Sequence, residues 1–138
     1  MTKEQLVSLA KGAMLKAYSP YSDYKVGAAL LCKDGSIYTG CNVENASFSA
    51  TNCAERTAFF KAVSEGQREF SAIAICGGKD GIIEGLFPPC GVCRQVMREF
   101  CENDFEIHLL TREGIETYNL GQLLPVSFQP DIIKKTEM

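Results

Sequence analysis

The sequence predicts an α/β domain in which helices cover a mixed β-sheet. Three observations lead to this fold class: a helix-periodic first segment, two strand-like runs joined by an Asp-Gly turn, and a later alternation of helical and strand-like segments. A chain of 138 residues is long enough for one domain with a hydrophobic core and too short for two ordinary ones. We therefore expect residues 1–138 to form a single domain.

The first half of the chain predicts a helix, a hairpin and a second helix. Pro20 ends the first helical pattern, and Asp34-Gly35 between two strand-like runs is a strong hairpin signal. Thr51 or Asn52 is the expected N-cap of the second helix, and Gly66 follows its end. In order, the predicted elements are helix 3–18, strand 26–32, strand 36–41, polar loop 40–47 and helix 52–63.

The second half begins with a short, continuous apolar run that is typical of a central strand buried on both faces. Gly77-Gly78 is expected to end this strand, and Pro125 to end the final short helix. The tail from about Ser127 is expected to be less ordered. In order, the predicted elements are strand 72–76, helix 90–101, strand 106–110, a candidate fifth strand 115–118 and helix 120–124.

Composition and charge favour a small-molecule partner. A net charge of -3 gives no broad cationic surface for a nucleic acid. The first ten residues lack the long apolar run of a signal peptide, and the longest clearly apolar run, residues 26–32, has the length of a strand and not of a membrane span. We expect a cytoplasmic protein with no nucleic-acid partner and no membrane association.

The seven cysteines favour metal ligation or free thiols over a disulfide framework, because their number is odd and no export signal is seen. Cys90 and Cys93 form a Cys-x-x-Cys at the expected start of a helix, which puts two sulfurs on one side. Cys53 begins another helix and is the natural third ligand for Zn²⁺. The four spare cysteines are expected to act as small buried hydrophobes: Cys32, Cys41, Cys76 and Cys101.

Two kinds of zinc site agree with these three cysteines. A structural site would be closed by one of the spare cysteines, with Glu55 an ordinary acid in the first turn of a helix. A catalytic site would keep one position for water, and Glu55 beside it would exchange protons with that water. Three thiolates make the metal electron-rich, so we expect the Arg56 guanidinium to donate hydrogen bonds to the ligand sulfurs.

Cys-x-Glu followed by Pro-Cys-x-x-Cys is the signature of the zinc nucleobase deaminases and favours the open site. The chain resembles a cytidine deaminase of the small, three-cysteine, homotetrameric kind. The resemblance runs from about Tyr18 to Leu124. Its motifs are Pro20-Tyr21-Ser22, Val26-Gly27-Ala28-Ala29-Leu30, Gly40-Cys41-Asn42-Val43-Glu44-Asn45, Cys53-Ala54-Glu55-Arg56-Thr57-Ala58 and Pro89-Cys90-Gly91-Val92-Cys93-Arg94-Gln95-Val96.

This resemblance implies a three-layer α/β/α sandwich with a mixed sheet of about five strands. It also implies zinc-dependent conversion of cytidine and 2′-deoxycytidine to uridine and 2′-deoxyuridine, with release of ammonia, as part of pyrimidine salvage. Glu55 would take the proton of the attacking water, deliver it to N3 of the ring and assist protonation of the leaving amine. The expected assembly is a homotetramer with its sites near subunit interfaces.

The resemblance further implies that Asn42 and Glu44 bind the ribose, chiefly its 3′-hydroxyl, and that Ala54 contacts the substrate. On the residues alone, Glu44 would be a solvated loop acid and Asn42 a turn residue. Tyr24 stands where the family usually has Phe packed against the base, and Phe48 where Tyr is common.

Phe128 resembles an aromatic that reaches into a neighbouring subunit's site, although it is equally well explained as an anchor for the tail. His108 is expected to be a hydrogen-bonded strand histidine. Arg94 and Gln95 are interpreted either as supports of the metal ligands or as an exposed helix face.

Three other functions compete with this hypothesis. Deamination of another amino-substituted ring is one, and Asn42 and Glu44 argue against it. A second is a binding module in which zinc only stabilises the fold. A loss of cytidine absorbance after cytidine is added, which reports turnover, would exclude it. Editing of a polynucleotide is a third, and the acidic balance of the chain counts against it.

Overall fold

A five-stranded mixed sheet runs through the middle of the protein. The computed structural model describes residues 1–134. Its elements are helix α1 (Lys3–Met14), strands β1 (Tyr24–Cys32) and β2 (Ile37–Cys41), a 3-10 turn (Phe48–Ala50), helix α2 (Ala54–Ser64), strand β3 (Phe70–Lys79), helix α3 (Gly91–Phe100), strands β4 (Glu106–Thr111) and β5 (Gly114–Asn119), and short helices α4 (Leu120–Leu123) and α5 (Asp131–Lys134).

The strand order is β2-β1-β3-β4-β5. All neighbours are antiparallel except β3 and β4, which are parallel and joined by the crossover through α3. The mixed five-stranded sheet predicted from the sequence is therefore confirmed, including the candidate fifth strand. The hairpin turn at Asp34-Gly35 is confirmed as well, with Gly35 at φ +92°, a conformation that glycine adopts without strain.

Helices cover both faces of the sheet. On one face α1 packs its residues Leu6, Val7, Ala10 and Met14 against small residues of β1 and β3. On the other face α2 and α3 enclose the larger core, in which the ring of Phe59 is fully buried among aromatic neighbours. This arrangement confirms the three-layer α/β/α sandwich, and it places α2 and α3 side by side.

Two predicted boundaries were wrong by more than two residues. The first helix ends at Met14 and not at Tyr18, because the Tyr18 N–H donates to the Asn42 carbonyl oxygen (3.0 Å) and Tyr18 forms a bridge with Val43. Strand β3 runs through Gly77 and Gly78 to Lys79, because these residues stay paired with β1. A Cβ at Gly78 would collide with the Ile82 carbonyl, so glycine lets the following turn fold back on the strand.

The N-cap prediction for α2 was also wrong. Cys53 is the N-cap residue, and its side chain makes no capping hydrogen bond. The two candidates are used elsewhere: the Thr51 hydroxyl accepts from the Asn45 N–H (3.1 Å), and the Asn52 amide donates to the Thr57 hydroxyl (3.2 Å). Gly66, at φ +102° just beyond the helix, is the terminating glycine that the sequence predicts.

Near the C-terminus, α4 begins with a closed capping box between Asn119 and Gln122, and Leu120 is fully buried beneath it. The tail that the sequence predicts to be less ordered contains α5, and its residues 135–138 lie outside the described residues. Along residues 1–134, none of the helices combines the length and apolar character needed to cross a bilayer.

Candidate active site

The three predicted ligand cysteines come together where α2 and α3 begin. Cys53 and Cys90 are the N-cap residues of α2 and α3, and Cys93 lies in the first turn of α3. The Sγ atoms of Cys53 and Cys90 are 3.7 Å apart, and those of Cys90 and Cys93 are 3.4 Å apart. All three sulfurs lie within 4.8 Å of one another. Two neighbouring helix starts thus produce one compact set of sulfurs.

This set fits Zn²⁺. With Zn–S bonds of about 2.3 Å, sulfurs at the corners of a tetrahedron lie about 3.8 Å apart. Among residues 1–134, no other His, Cys, Asp or Glu joins the group at ligand distances. A catalytic zinc has three protein ligands and keeps its fourth position for water, and the three cysteines supply this number of ligands; the closed structural site is not formed by the described residues.

The spare cysteines lie away from this group. Cys32, Cys76 and Cys101 are buried in the hydrophobic core, as predicted. Cys41 is partly exposed and its S–H donates to the Lys16 carbonyl oxygen (3.5 Å), so the prediction that it is buried was wrong. Its position at the end of the edge strand β2 accounts for this exposure.

The electrostatics of the site favour a thiolate at Cys53. A hydrogen bond from Cys93 and the neighbouring Arg56 guanidinium lower the pKa of Cys53 well below its ordinary value, and the same bond raises the pKa of the donor Cys93. Arg56 Nη2 lies 3.3 Å from the Cys53 Sγ atom, as a donor to this sulfur should. The Arg56 Nε–H is buried and has no acceptor among the described residues.

Glu55 lies in the first turn of α2, between Cys53 and Arg56. Its side chain is 4% exposed, and burial raises its pKa to about 7. Since the carboxyl is not a member of the sulfur group, it is available to exchange protons beside the metal position. The structure therefore brings a zinc-type sulfur set and a desolvated carboxyl into one place.

A cavity of about 320 Å³ opens onto these groups. Five of the proposed substrate-contacting or catalytic residues line it: Tyr24, Asn42, Glu44, Ala54 and Glu55. Phe48 does not line it, is 77% exposed, and packs edge-on against Tyr21 at a ring distance of 6.5 Å. Phe128 also lies outside the lining and is 58% exposed, with its carbonyl bound by the Gln95 amide.

Asn42 and Glu44 are both buried and held by β1 or the loop before it. The Asn42 Oδ1 atom accepts from the Val26 N–H (2.8 Å), and its Nδ2 donates to the Tyr24 carbonyl oxygen (2.8 Å). Glu44 accepts from the N–H groups of Tyr21 and Ser22 and from the Ser22 hydroxyl. The Ser22 hydroxyl is the main cause of the lowered pKa of Glu44, which keeps this carboxylate charged.

Sequence reasoning missed several residues of the cavity wall, above all Phe87, Pro88 and Ser22. Phe87 packs against Tyr24 at a ring distance of 6.1 Å, so two aromatic side chains form one side of the cavity. Ser22 lies between Tyr21 and Asp23, and this local sequence gives no signal of its contact with Glu44. Contacts of the tertiary structure bring these segments together, among them the pairing of residues 18 and 43 and the bonds from Tyr21 and Ser22 to Glu44.

Comparison with known proteins agrees with this geometry. The family model described as "Cytidine and deoxycytidylate deaminase zinc-binding region" matches residues 1–108. A cytidine deaminase of Sporosarcina psychrophila is 48% identical over 132 residues, covering 95% of this chain and 94% of that protein. The chain belongs to the cytidine and deoxycytidylate deaminase family.

Solved structures of this family share the fold. The cytidine deaminase of Burkholderia pseudomallei superposes with a TM-score of 0.86 at 47% identity, covering 93% of this chain and 100% of that one. The cytidine deaminase of Mycobacterium tuberculosis superposes with a TM-score of 0.79 at 37% identity, covering 93% and 98%. The resemblance first seen in the motifs is thus confirmed at the level of family and fold.

Proposed function

We propose that this protein catalyses the zinc-dependent hydrolytic deamination of cytidine and 2′-deoxycytidine, giving uridine and 2′-deoxyuridine and releasing ammonia. The observation that carries this proposal is the sulfur group of Cys53, Cys90 and Cys93 beside a cavity that Cys53, Cys90 and Glu55 line, in which the Glu55 carboxyl is not a ligand. Deaminases of nucleobases need this division of roles between metal ligands and proton carrier.

Cys53, Cys90 and Cys93 would hold the zinc ion. When bound, the ion lowers the pKa of a coordinated water to about 7 and so supplies the nucleophile. Glu55 accepts one proton of the attacking water and passes it to N3 of the ring. It then takes the proton of the hydroxyl group added at C4 and gives it to the amine, which leaves as ammonia while the C4 carbonyl forms. Burial of Glu55 excludes competing water from these transfers.

Glu44 and Asn42 suit the ribose. Three donors already occupy the Glu44 carboxylate, which leaves acceptor capacity for one sugar hydroxyl, and Asn42 keeps one amide N–H beyond its bond to Tyr24. A charged carboxylate attracts a hydroxyl donor and repels a phosphate. Nucleosides are therefore preferred to nucleotides at this site.

The aromatic residues have different places in this proposal. Tyr24, packed on Phe87, offers a ring face for the base, and Ala54 borders the same cavity. Phe48 and Phe128 are exposed apolar rings in the single chain. In a homotetramer with sites near subunit interfaces, such rings complete the neighbouring cavity. A cytoplasmic location, pyrimidine salvage and one domain over residues 1–138 belong to the same proposal.

One turnover assay tests the proposal. The purified protein is given cytidine, 2′-deoxycytidine, cytidine monophosphate or adenosine, before chelation, after chelation and after return of Zn²⁺. We expect turnover of the first two substrates, much weaker turnover of the other two, loss on chelation and recovery with zinc. Preference for adenosine would indicate a deaminase of another substrate. A stable, zinc-bound protein with no turnover would indicate a binding module in which zinc only stabilises the fold.

A further inference from the structure

The segment that delivers Cys90 to the metal position begins with two consecutive prolines, Pro88 and Pro89. Proline has no N–H, so neither residue can fix its own peptide plane by donating a backbone hydrogen bond. The carbonyl oxygens are the polar backbone groups that remain for this purpose. The direction in which Cys90 points therefore depends on what holds these carbonyls.

Arg94 donates to the second of these carbonyls and to the carbonyl of the next residue. Its side-chain Nε donates to the Pro89 carbonyl oxygen (2.8 Å), and its backbone N–H donates to the Cys90 carbonyl oxygen (3.0 Å). Because the peptide between Pro89 and Cys90 is planar, fixing the Pro89 carbonyl also fixes the N and Cα atoms of Cys90. The backbone bond is the ordinary first hydrogen bond of α3, so the side-chain bond to the Pro89 carbonyl is the contact that depends on arginine at this position.

The same guanidinium is anchored at its other end. Arg94 Nη1 donates to the Leu123 carbonyl oxygen (2.7 Å), which is at the end of α4 and lacks an acceptor role within that helix. The closed capping box and the fully buried Leu120 make α4 a firm support. The planar fork of arginine joins the two carbonyls, and a lysine ammonium at this position could not reproduce that geometry.

We propose that Arg94 is a positioning residue for the metal site, which sets the Cys90 sulfur at ligand distance by clamping the Pro89 carbonyl to α4. This role differs from that of Arg56, which bonds to a sulfur directly. The structure decides between the two interpretations of Arg94 from sequence, since an exposed helix face would leave its donors in solvent. The inference rests on zinc binding by the cysteines, as proposed above.

The test compares Arg94→Lys and Arg94→Met with the unaltered protein and with Arg68→Met. Arg68 is a matched control, because its Nη1 also donates to two carbonyl oxygens (Val63 and Gln67, both 2.8 Å), but at the far end of α2. Zinc release to a chromogenic chelator is measured for each zinc-loaded protein. We expect release about 10–100-fold faster in both Arg94 variants and unchanged in Arg68→Met.

Cobalt substitution gives a second readout that a purely structural role would not change. The thiolate-to-cobalt absorption should shift in Arg94→Lys and stay the same in Arg68→Met, while KM for cytidine stays unchanged. Wild-type zinc release and an unshifted cobalt band in a folded Arg94→Lys protein would overturn the inference, even if Arg94→Met fails to fold. Failure of the unaltered protein to bind zinc would instead overturn the proposed function.

Discussion

Replacing Glu55 by glutamine separates proton transfer from every other property of the site. The amide has the shape of the carboxyl, and Glu55 is 4% exposed, so the packing at the start of α2 is unchanged. Glu55 is also not part of the sulfur group, so zinc content should stay at the level of the unaltered protein. A neutral amide carries no cost for burying charge, and we expect no loss of thermal stability.

The size of the effect follows from the number of proton transfers that use this carboxyl. A positioned acid or base contributes about 10²–10⁴-fold to the rate of each step that it serves. Glu55 serves transfer to N3 and transfer to the leaving amine, and it is the acid that borders the sulfur set in the cavity. We therefore expect kcat to fall by at least about 10⁴-fold, which corresponds to about 5.4 kcal/mol of barrier.

The assay is the loss of cytidine absorbance under saturating substrate, with zinc content and melting temperature measured on the same samples. Glu65→Gln, at the exposed C-terminal end of the same helix, is the matched control and should behave like the unaltered protein. Retention of more than about a tenth of the turnover in a zinc-loaded, folded Glu55→Gln protein would exclude Glu55 as the proton carrier.

Three further predictions concern the surroundings of the site. Arg56→Ala should weaken zinc retention or kcat about 10–100-fold with little change in KM, because a donor to Cys53 is lost; equal zinc content and equal turnover would contradict it. Ser22→Ala removes the main donor to Glu44 and should raise KM for cytidine about tenfold with kcat unchanged. An unchanged KM would separate Glu44 from ribose binding. Burial lowers the pKa of His108, so the unfolded chain takes up a proton that the folded one resists as pH falls through the ordinary value of 6.5. Stability should therefore decline toward acid, and His108→Gln should flatten this decline in denaturant unfolding at several pH values.

The sulfur set and its carboxyl could be predicted from sequence because each part is local. Cys90 and Cys93 share one helical turn, and Cys53 is two residues from Glu55 at another helix start. Helix periodicity places both groups at N-termini without any knowledge of the tertiary structure. Periodicity gives no information about the distance between the two helix starts. The family signature indicated that they lie close together.

The errors at Tyr18, Gly78 and Phe87 have a common cause, since each concerns a residue with a partner that is distant in sequence. Tyr18 leaves the first helix because Asn42 accepts its N–H, and Gly78 continues a strand because β1 pairs with it. Phe87 joins the cavity wall through its contact with Tyr24, across more than sixty residues of chain. Local propensity carries no information about such partners, so boundaries and cavity walls were the least predictable features.

The zinc ligands come from two segments that lie far apart along the chain, since Cys53 and Cys90 are separated by 37 positions. An ion shared by these two cysteines closes a loop that contains α2 and β3, much as a covalent cross-link would. Closing a loop of this length lowers the conformational entropy of the unfolded chain. In the chain-entropy treatment this raises the free energy of the unfolded state by about 4 kcal/mol at room temperature. The ion required for catalysis would therefore also stabilise the fold, so that the melting temperature depends on the concentration of zinc.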